Sequence, residues 1–275
     1  MGKWHRQVSM LSFEKIEAFR EKGADVDFGA FGENLVVEGF DLSKVPVGTK
    51  FQIGEAILEL TQIGKECHSH CAIYKVMGDC IMPREGVFTR VLKGGEIKAG
   101  DEITMLPLEK DRPFTAAVIT LSGKGAAGER EDKSGPLIQE MLMKEGYDVI
   151  ETLLLPDGEQ PLKHQLMRLA DQRQVNVIFT TGGTGFAERD VTPEATQAVC
   201  DRMAMGIADA IRQYSLSITG RAMLSRAVSG IRKKTLIVNL PGSPKAVKES
   251  LEYVLPHLGH GLGILRGTDG ECGNS

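Results

Sequence analysis

Residues 180–193, Thr-Thr-Gly-Gly-Thr-Gly-Phe-Ala-Glu-Arg-Asp-Val-Thr-Pro, decide the fold. An apolar run of strand length, Val175, Val177, Ile178 and Phe179, leads into this stretch, and residues 194–203 leave it with helical spacing. The local reading is therefore strand, glycine-rich loop, helix. Thr192 is expected to cap the new helix through its hydroxyl, and Pro193 suits the first helical position, where its missing N–H would have had no partner. Gly182, Gly183 and Gly185 leave backbone amides uncovered, so a phosphate can approach them at the positive end of a helix. Asp190 stands beside that site, where a carboxylate repels phosphate unless a hard cation such as Mg²⁺ lies between them. The loop lacks the Lys-Ser/Thr ending of a P-loop and the GxGxxG spacing of the dinucleotide fold, so a plain tight turn competes with phosphate binding.

Working outward, residues 114–267 alternate strand and helix. Strands are expected at 116–121, 149–155, 175–179 and 235–240, with helices from Asp132 or Ser134 to 145, at 159–172, 194–203 and 207–216, and after the turn 241–244. The expectation is a mostly parallel sheet with helices on both faces. In such sheets ligands sit outside the carboxyl ends of the strands, where loops 122–132, 156–159, 181–190 and 239–243 emerge. Asp157 and Asp190 thus become candidates for one shared metal or substrate, although Asp157 also reads as a helix-starting residue and Asn239 as a side chain closing a turn.

The first part has a different texture. A helix at 13–20 is followed by short β-rich runs at 35–37, 51–53, 57–61 and 87–92, punctuated by glycines, so residues 1–106 read as a small β-rich domain. The charged, proline-bounded residues 107–113 read as a linker, and the glycine-rich polar residues 268–275 as a flexible tail.

The chain has 275 residues, 41% of them hydrophobic, enough for two ordinary domains. A formal net charge of −4 gives no basic footprint for nucleic acid, and no apolar run is long enough to span a membrane. No signal-peptide pattern opens the sequence and Arg6 occupies the place where a myristoylation motif wants Ser or Thr, so a cytoplasmic location is expected. The five cysteines, an odd number, read as thiols or metal ligands rather than a disulfide framework.

Five blocks in order, GEREDKSGP (128–136), LPDG (155–158), TTGGTGFAERDVTPEAT (180–196), MLSRAVSGIR (223–232) and NLPGSPKA (239–246), resemble the molybdopterin adenylyltransferase family. The resemblance implies Mg-dependent transfer of AMP from ATP to the terminal phosphate of molybdopterin, with pyrophosphate released, in a homotrimer that serves a molybdate-inserting enzyme downstream. It implies Asp157 and Asp190 as the essential acidic, metal-holding pair. Contacts to nucleotide or pterin are expected from Ser122, Thr181, Gly182, Gly183, Thr184, Gly185, Ser225, Asn239, Pro241, Gly242 and Ser243, with Lys245 a further candidate. The family usually has Ser-Asp where this chain has Ser122-Gly123. That departure keeps a second reading open, a non-catalytic carrier of molybdopterin or of its sulfur; a nucleotide hydrolase of the same wider fold is a third.

FGENL (31–35), QIGKECHSHC (62–71), GDCIMPREGVFTRVLKGG (78–95) and Gly100-Asp101 resemble a MOSC domain, the β-rich module of molybdenum cofactor sulfurases. The chain starts almost at HRQVS (5–9), so the domain reads as one lacking its first strands. The resemblance favours Cys71 as its functional cysteine, with Cys67 and Cys80 as competitors. By spacing alone Cys67, His68, His70, Cys71 and Cys80 offer zinc-ligand types, but C-x3-C without a second pair is a weak zinc motif; a reactive or cofactor-contacting thiol and unremarkable buried thiols remain alternatives.

Overall fold

The computed structural model describes residues 4–67 and 71–268. The chain divides between Glu109 and Lys110 into two compact units.

In the first unit, β1 (Val8–Ser12) leads directly into α1 (Phe13–Arg20), and β2 (Leu35–Val37), β3 (Lys50–Ile53) and β4 (Ala56–Ile63) follow. Two short helices, α2 (Ala72–Met77) and α3 (Met82–Glu85), precede β5 (Val87–Lys93) and β6 (Ile103–Leu106). The six strands form one sheet in the order β2-β1-β5-β4-β3-β6, antiparallel throughout except for the β1–β2 pair. Successive residues of β1 face opposite sides. Met10 packs with Phe51, Leu58, Leu60 and Val87 on one face, and Leu11 with Ile16, Phe19 and Ile81 on the other.

The second unit begins with β7 (Thr115–Leu121), the short α4 (Gly123–Ala126), α5 (Ser134–Lys144), β8 (Asp148–Leu155) and α6 (Glu159–Met167), whose end widens into a π turn over Arg168–Gln172. Next come β9 (Val177–Thr181), α7 (Thr192–Val199), β10 (Arg202–Met203), α8 (Met205–Leu216), β11 (Ser229–Arg232), β12 (Thr235–Leu240) and the 23-residue α9 (Pro244–Arg266). The sheet order is β10-β11-β12-β9-β7-β8, with the run from β12 to β8 parallel and the β10–β11 and β11–β12 pairs antiparallel.

Alternation along the central strands feeds two cores. Ala116, Val118, Phe179 and Val238 pack under α5, α8 and α9 through Ile138, Leu142, Ile211, Val247 and Leu251. Ala117, Ile119, Ile178 and Ile237 pack on the other face against Leu162, Leu166 and Leu169 of the α6 segment and Ala195 and Val199 of α7. Each such buried Val, Leu, Ile or Phe side chain contributes roughly 1.5–3 kcal/mol of transfer free energy. Helices therefore cover both faces of the mostly parallel sheet, as the alternating pattern predicts.

Three local expectations differ from the structure. The helix expected over 194–203 stops at Val199, because Cys200 turns to extended geometry and Arg202 and Met203 pair with Ile231 and Gly230 as an edge strand. The strand expected at 175–179 is displaced to Val177–Thr181, so Thr180 and Thr181 belong to the ladder and pair with Asn239 and Leu240. Thr192 does not cap α7 from outside. It is the helix's first residue, and its hydroxyl donates to the Gly182 carbonyl at 2.9 Å while its N–H donates to the Gly183 carbonyl at 3.1 Å, stitching the glycine loop to the helix.

Candidate functional site

The four parallel strands end on one side of the second unit, and the loops leaving Leu121, Leu155, Thr181 and Leu240 border a cleft of about 970 Å³. Its lining includes Ser122, Asp157, Thr181, Gly182, Gly183, Asp190, Gly242 and Ser243, so eight of the expected site residues converge from four segments.

The glycine loop is built where side chains cannot be. Gly182 and Gly183 have φ of +94° and +64°. A Cβ on Gly182 would lie 2.3 Å from the Leu121 carbonyl oxygen, and one on Gly183 would lie 2.5 Å from the Thr192 hydroxyl. Strand β9 thus runs into its turn pressed against the end of β7, a closeness only glycine permits. Thr181 donates its hydroxyl to the Pro241 carbonyl at 2.6 Å, which ties this loop to the turn after β12.

The two aspartates occupy facing loops. Asp157 Oδ2 accepts the Gly123 N–H at 3.0 Å, and the Arg189 guanidinium stands 4.0 Å from the same oxygen. Asp190 Oδ2 accepts the Ala187 N–H at 3.0 Å, and the Asp190 N–H donates to the Ala187 carbonyl at 2.8 Å. Each carboxylate commits Oδ2 to the backbone and keeps Oδ1 without a protein partner among the described residues. No cluster of three or more His, Cys, Asp and Glu suited to a metal forms among the described residues. A cation held here would draw its other ligands from phosphate oxygens and water, the habit of Mg²⁺. The all-oxygen donor set fits that ion.

Other expected residues lie outside the cleft wall. Asn239 is fully buried in β12 and closes no turn. Its Oδ1 accepts the Val228 N–H at 3.2 Å, and its Nδ2 donates at 2.9 Å to both Thr180 and Thr196 hydroxyls, satisfying the amide within the protein. Thr184, Gly185, Pro241 and Ser225 are not among the lining residues. Ser225 uses its hydroxyl to accept the Ala227 N–H, and Lys245 lies exposed 3.9 Å from Glu249. Ser122 and Ser243, which do line the cleft, serve as helix caps: Ser122 accepts the Gly125 N–H at 3.0 Å at the start of α4, and Ser243 accepts the Ala246 N–H at 3.3 Å at the start of α9.

Arg226 has a role that sequence reasoning missed. Its guanidinium donates to the Gly185 carbonyl at 2.7 Å, to the Asp190 carbonyl and to Glu194 of α7, and its own N–H donates to the Thr184 carbonyl at 3.0 Å. The signal was available as an arginine inside MLSRAVSGIR, but nothing local says that its partners lie about forty residues earlier.

In the first unit, Cys67 and Cys80 border a second cavity of about 470 Å³ together with Tyr74, Asp79 and Arg84. Arg84 grips Asp79 through two hydrogen bonds of 2.9 and 2.8 Å, which, with the Cys80 N–H, hold the Asp79 carboxyl down at about 2. Burial pushes the Cys80 thiol up, away from the reactive thiolate. Cys71 is exposed at the start of α2, and His68 and His70 of the zinc reading lie outside the described residues.

Residues 117–260 match the family described as probable molybdopterin binding domain, and residues 1–104 match the MOSC domain. Over 153 residues, 55% of this chain and 87% of the relative, the sequence is 39% identical to a Helicobacter pylori protein named molybdopterin adenylyltransferase. The Escherichia coli protein of the same name is 42% identical over 140 residues, 50% of this chain and 71% of the relative. Among solved structures, the molybdopterin biosynthesis enzyme MoaB of Thermus thermophilus superposes with a TM-score of 0.54 at 45% identity, covering 56% of this chain and 97% of that one. The tungsten cofactor synthesizing MoaB of Pyrococcus furiosus gives 0.51 at 36% identity, covering 56% and 98%.

Proposed function

The chain belongs, through residues 117–260, to the family of probable molybdopterin binding domains and carries a MOSC domain over residues 1–104, and from that premise we propose that it adenylates molybdopterin. The observation that carries this reading is the convergence of Asp157, Asp190 and the Gly182–Gly183 turn on one cleft at the carboxyl ends of parallel strands. The reaction transfers AMP from ATP. An oxygen of the pterin's terminal phosphate forms a bond to the α-phosphorus, the bond to the bridging oxygen breaks, and pyrophosphate departs with that electron pair.

Most of the catalytic task is positioning and charge neutralisation. Asp157 and Asp190 would hold Mg²⁺ through their uncommitted oxygens, and the ion would supply positive charge to the phosphate oxygens. The amides of residues 182–183 orient an anionic oxygen without a side chain in the way. Ser134, whose hydroxyl donates to the Gly242 carbonyl at 3.1 Å, and Thr181 hold the turn after β12 in place as a wall for the ligand. A homotrimer handing its product to a molybdate-inserting enzyme completes the proposal. The MOSC domain's cysteines, Cys71 first and Cys67 and Cys80 after it, are assigned to sulfur or cofactor handling in the same pathway.

The test is turnover by the purified protein with molybdopterin, ATP and Mg²⁺, reading adenylated pterin and pyrophosphate, beside Asp190→Ala with its fold verified. Product lost in the variant supports the reading. Full activity in Asp190→Ala sinks the site assignment, and binding of molybdopterin without any product in the wild type turns the protein into a carrier.

A further inference from the structure

Three cations on the β7–α5 connection border the same cleft, and none of them has a carboxylate partner among the described residues: Lys124, Arg130 and Lys133. Elsewhere in this unit several basic side chains do pair with acids, as in Lys163–Glu159, Arg212–Asp209 and Arg232–Asp171. Their isolation is not for want of nearby acids, since Glu129, Glu131 and Asp132 share the loop. Asp132 is withdrawn because its Oδ1 accepts the N–H groups of Ser134 and Gly135, both at 3.0 Å, as it caps α5. Glu131 and Asp132 border the cleft as well, so the loop is balanced in formal charge, and what it offers a ligand is three cationic side chains that no carboxylate engages among the described residues.

We propose that Lys124, Arg130 and Lys133 form the polyphosphate arm of the cleft, taking the β- and γ-phosphates of the nucleotide and then the pyrophosphate it releases. The inference rests on the nucleotide reading above and adds to it a rule of selection, a triphosphate over a monophosphate. The chemistry requires such a group. Departing pyrophosphate carries several negative charges, and the aspartate loops and glycine turn contribute only Arg189 as a side-chain cation, itself beside Asp157. Lysine and arginine are the side chains that compensate phosphate charge in a partly solvated site. All three side chains are exposed, so each contributes modestly and in a salt-dependent way.

The experiment is calorimetric titration of the full chain, in Mg²⁺, with ATP, AMP and inorganic pyrophosphate as separate probes, for the wild type and for Lys124→Gln, Arg130→Gln, Lys133→Gln and the triple variant. Each replacement weakens ATP and pyrophosphate binding by about fivefold, and the triple by on the order of a hundredfold, with AMP within about twofold of wild type. The loss shrinks as salt is raised. Thermal unfolding of each variant reports that these exposed substitutions leave the fold intact. Equal affinities for ATP in wild type and triple variant, or an equal loss for ATP and AMP, overturn the arm while leaving the nucleotide reading standing. A wild type that binds neither ATP nor AMP overturns that reading and the arm with it.

Discussion

The Arg226 Nε donates to the Gly185 carbonyl at 2.7 Å, across 41 positions of sequence. With its second contact to the Asp190 carbonyl, one guanidinium holds both ends of the turn that presents the Asp190 carboxylate. Its ion pair with Glu194 anchors the whole to the first turn of α7. The glycine loop gains a rigid frame from outside the cleft, held by a residue that does not line it, and such a frame supplies the preorganisation that phosphoryl transfer needs.

Replacement of Arg226 by Met removes three donors and leaves two loop carbonyls facing an apolar side chain. The expected cost is about 1–2 kcal/mol of stability, discounted because the side chain is about a third exposed. Turnover falls further, by roughly tenfold to a hundredfold in kcat with a smaller change in KM, because Asp190 loses its set position. Arg226→Lys keeps the charge but not the fork and recovers part of the rate. Urea unfolding and initial-rate kinetics read the two effects separately; equal kcat in wild type and Arg226→Met refutes the brace.

Gly182 and Gly128 both have positive φ, yet they differ in what surrounds them. A Cβ at 182 meets the Leu121 carbonyl oxygen at 2.3 Å, whereas a Cβ at 128 meets nothing within 4 Å. Gly128→Ala is expected to cost about 1 kcal/mol, the left-handed backbone penalty alone. Gly182→Ala adds a clash with strand backbone that cannot rotate away, about 3 kcal/mol or more in total. Chemical unfolding of the two variants side by side measures the difference, and similar losses would contradict the packed-loop geometry.

Much of this unit was legible because its residues advertise their roles locally. The runs 116–121 and 235–240 are apolar and strand-length and are bounded by turn residues, and the leucines at 162, 166 and 169 mark one helix face. The glycine loop and the two aspartates could be placed at strand ends for the same reason, although a tight turn and a helix start account for them equally well locally. Strands β10 and β11 were not. Ser229, Gly230, Ile231 and Arg232 show no alternation, and Gly230 is required because a Cβ there would lie 2.6 Å from the Cys200 sulfur, a contact set by residues thirty positions away. Asn239 misled for a related reason: an asparagine before Pro-Gly reads as a turn, and only the neighbouring strand and α7, which bring Thr180 and Thr196 to its amide, reveal it as a buried junction.

That junction makes Asn239→Ala a stability variant. Three hydrogen bonds vanish, and the Val228 N–H together with two threonine hydroxyls loses its partner in a fully buried site. The expected loss is about 2–4 kcal/mol. Asn239→Ala and Thr196→Val combined should cost less than the sum of the two, because the second change removes a group the first left orphaned. A double-mutant cycle by urea unfolding decides it; strict additivity would mean the Asn239–Thr196 contact carries no coupling.

Cys200 ties stability to pH at the alkaline end. Burial first, and Asp201 after it, push its thiol up to about 11 from an ordinary 9.0, with Arg232 opposing. In the unfolded chain the thiol ionises near its ordinary value, whereas the folded protein holds it neutral. The thiol's contribution is therefore fully present below about pH 9 and is lost as the pH rises towards about 11. The stability gap between wild type and Cys200→Ala should narrow across that window and stay constant from pH 6 to 8, when both are followed by urea unfolding. The same partial burial predicts that at pH 8 iodoacetamide labels exposed Cys71 in the native protein much faster than half-buried Cys200, and that denaturant brings the two rates together. Native labelling of Cys200 at a rate matching Cys71 would show that its thiolate is as accessible as an exposed one and would contradict its partial burial.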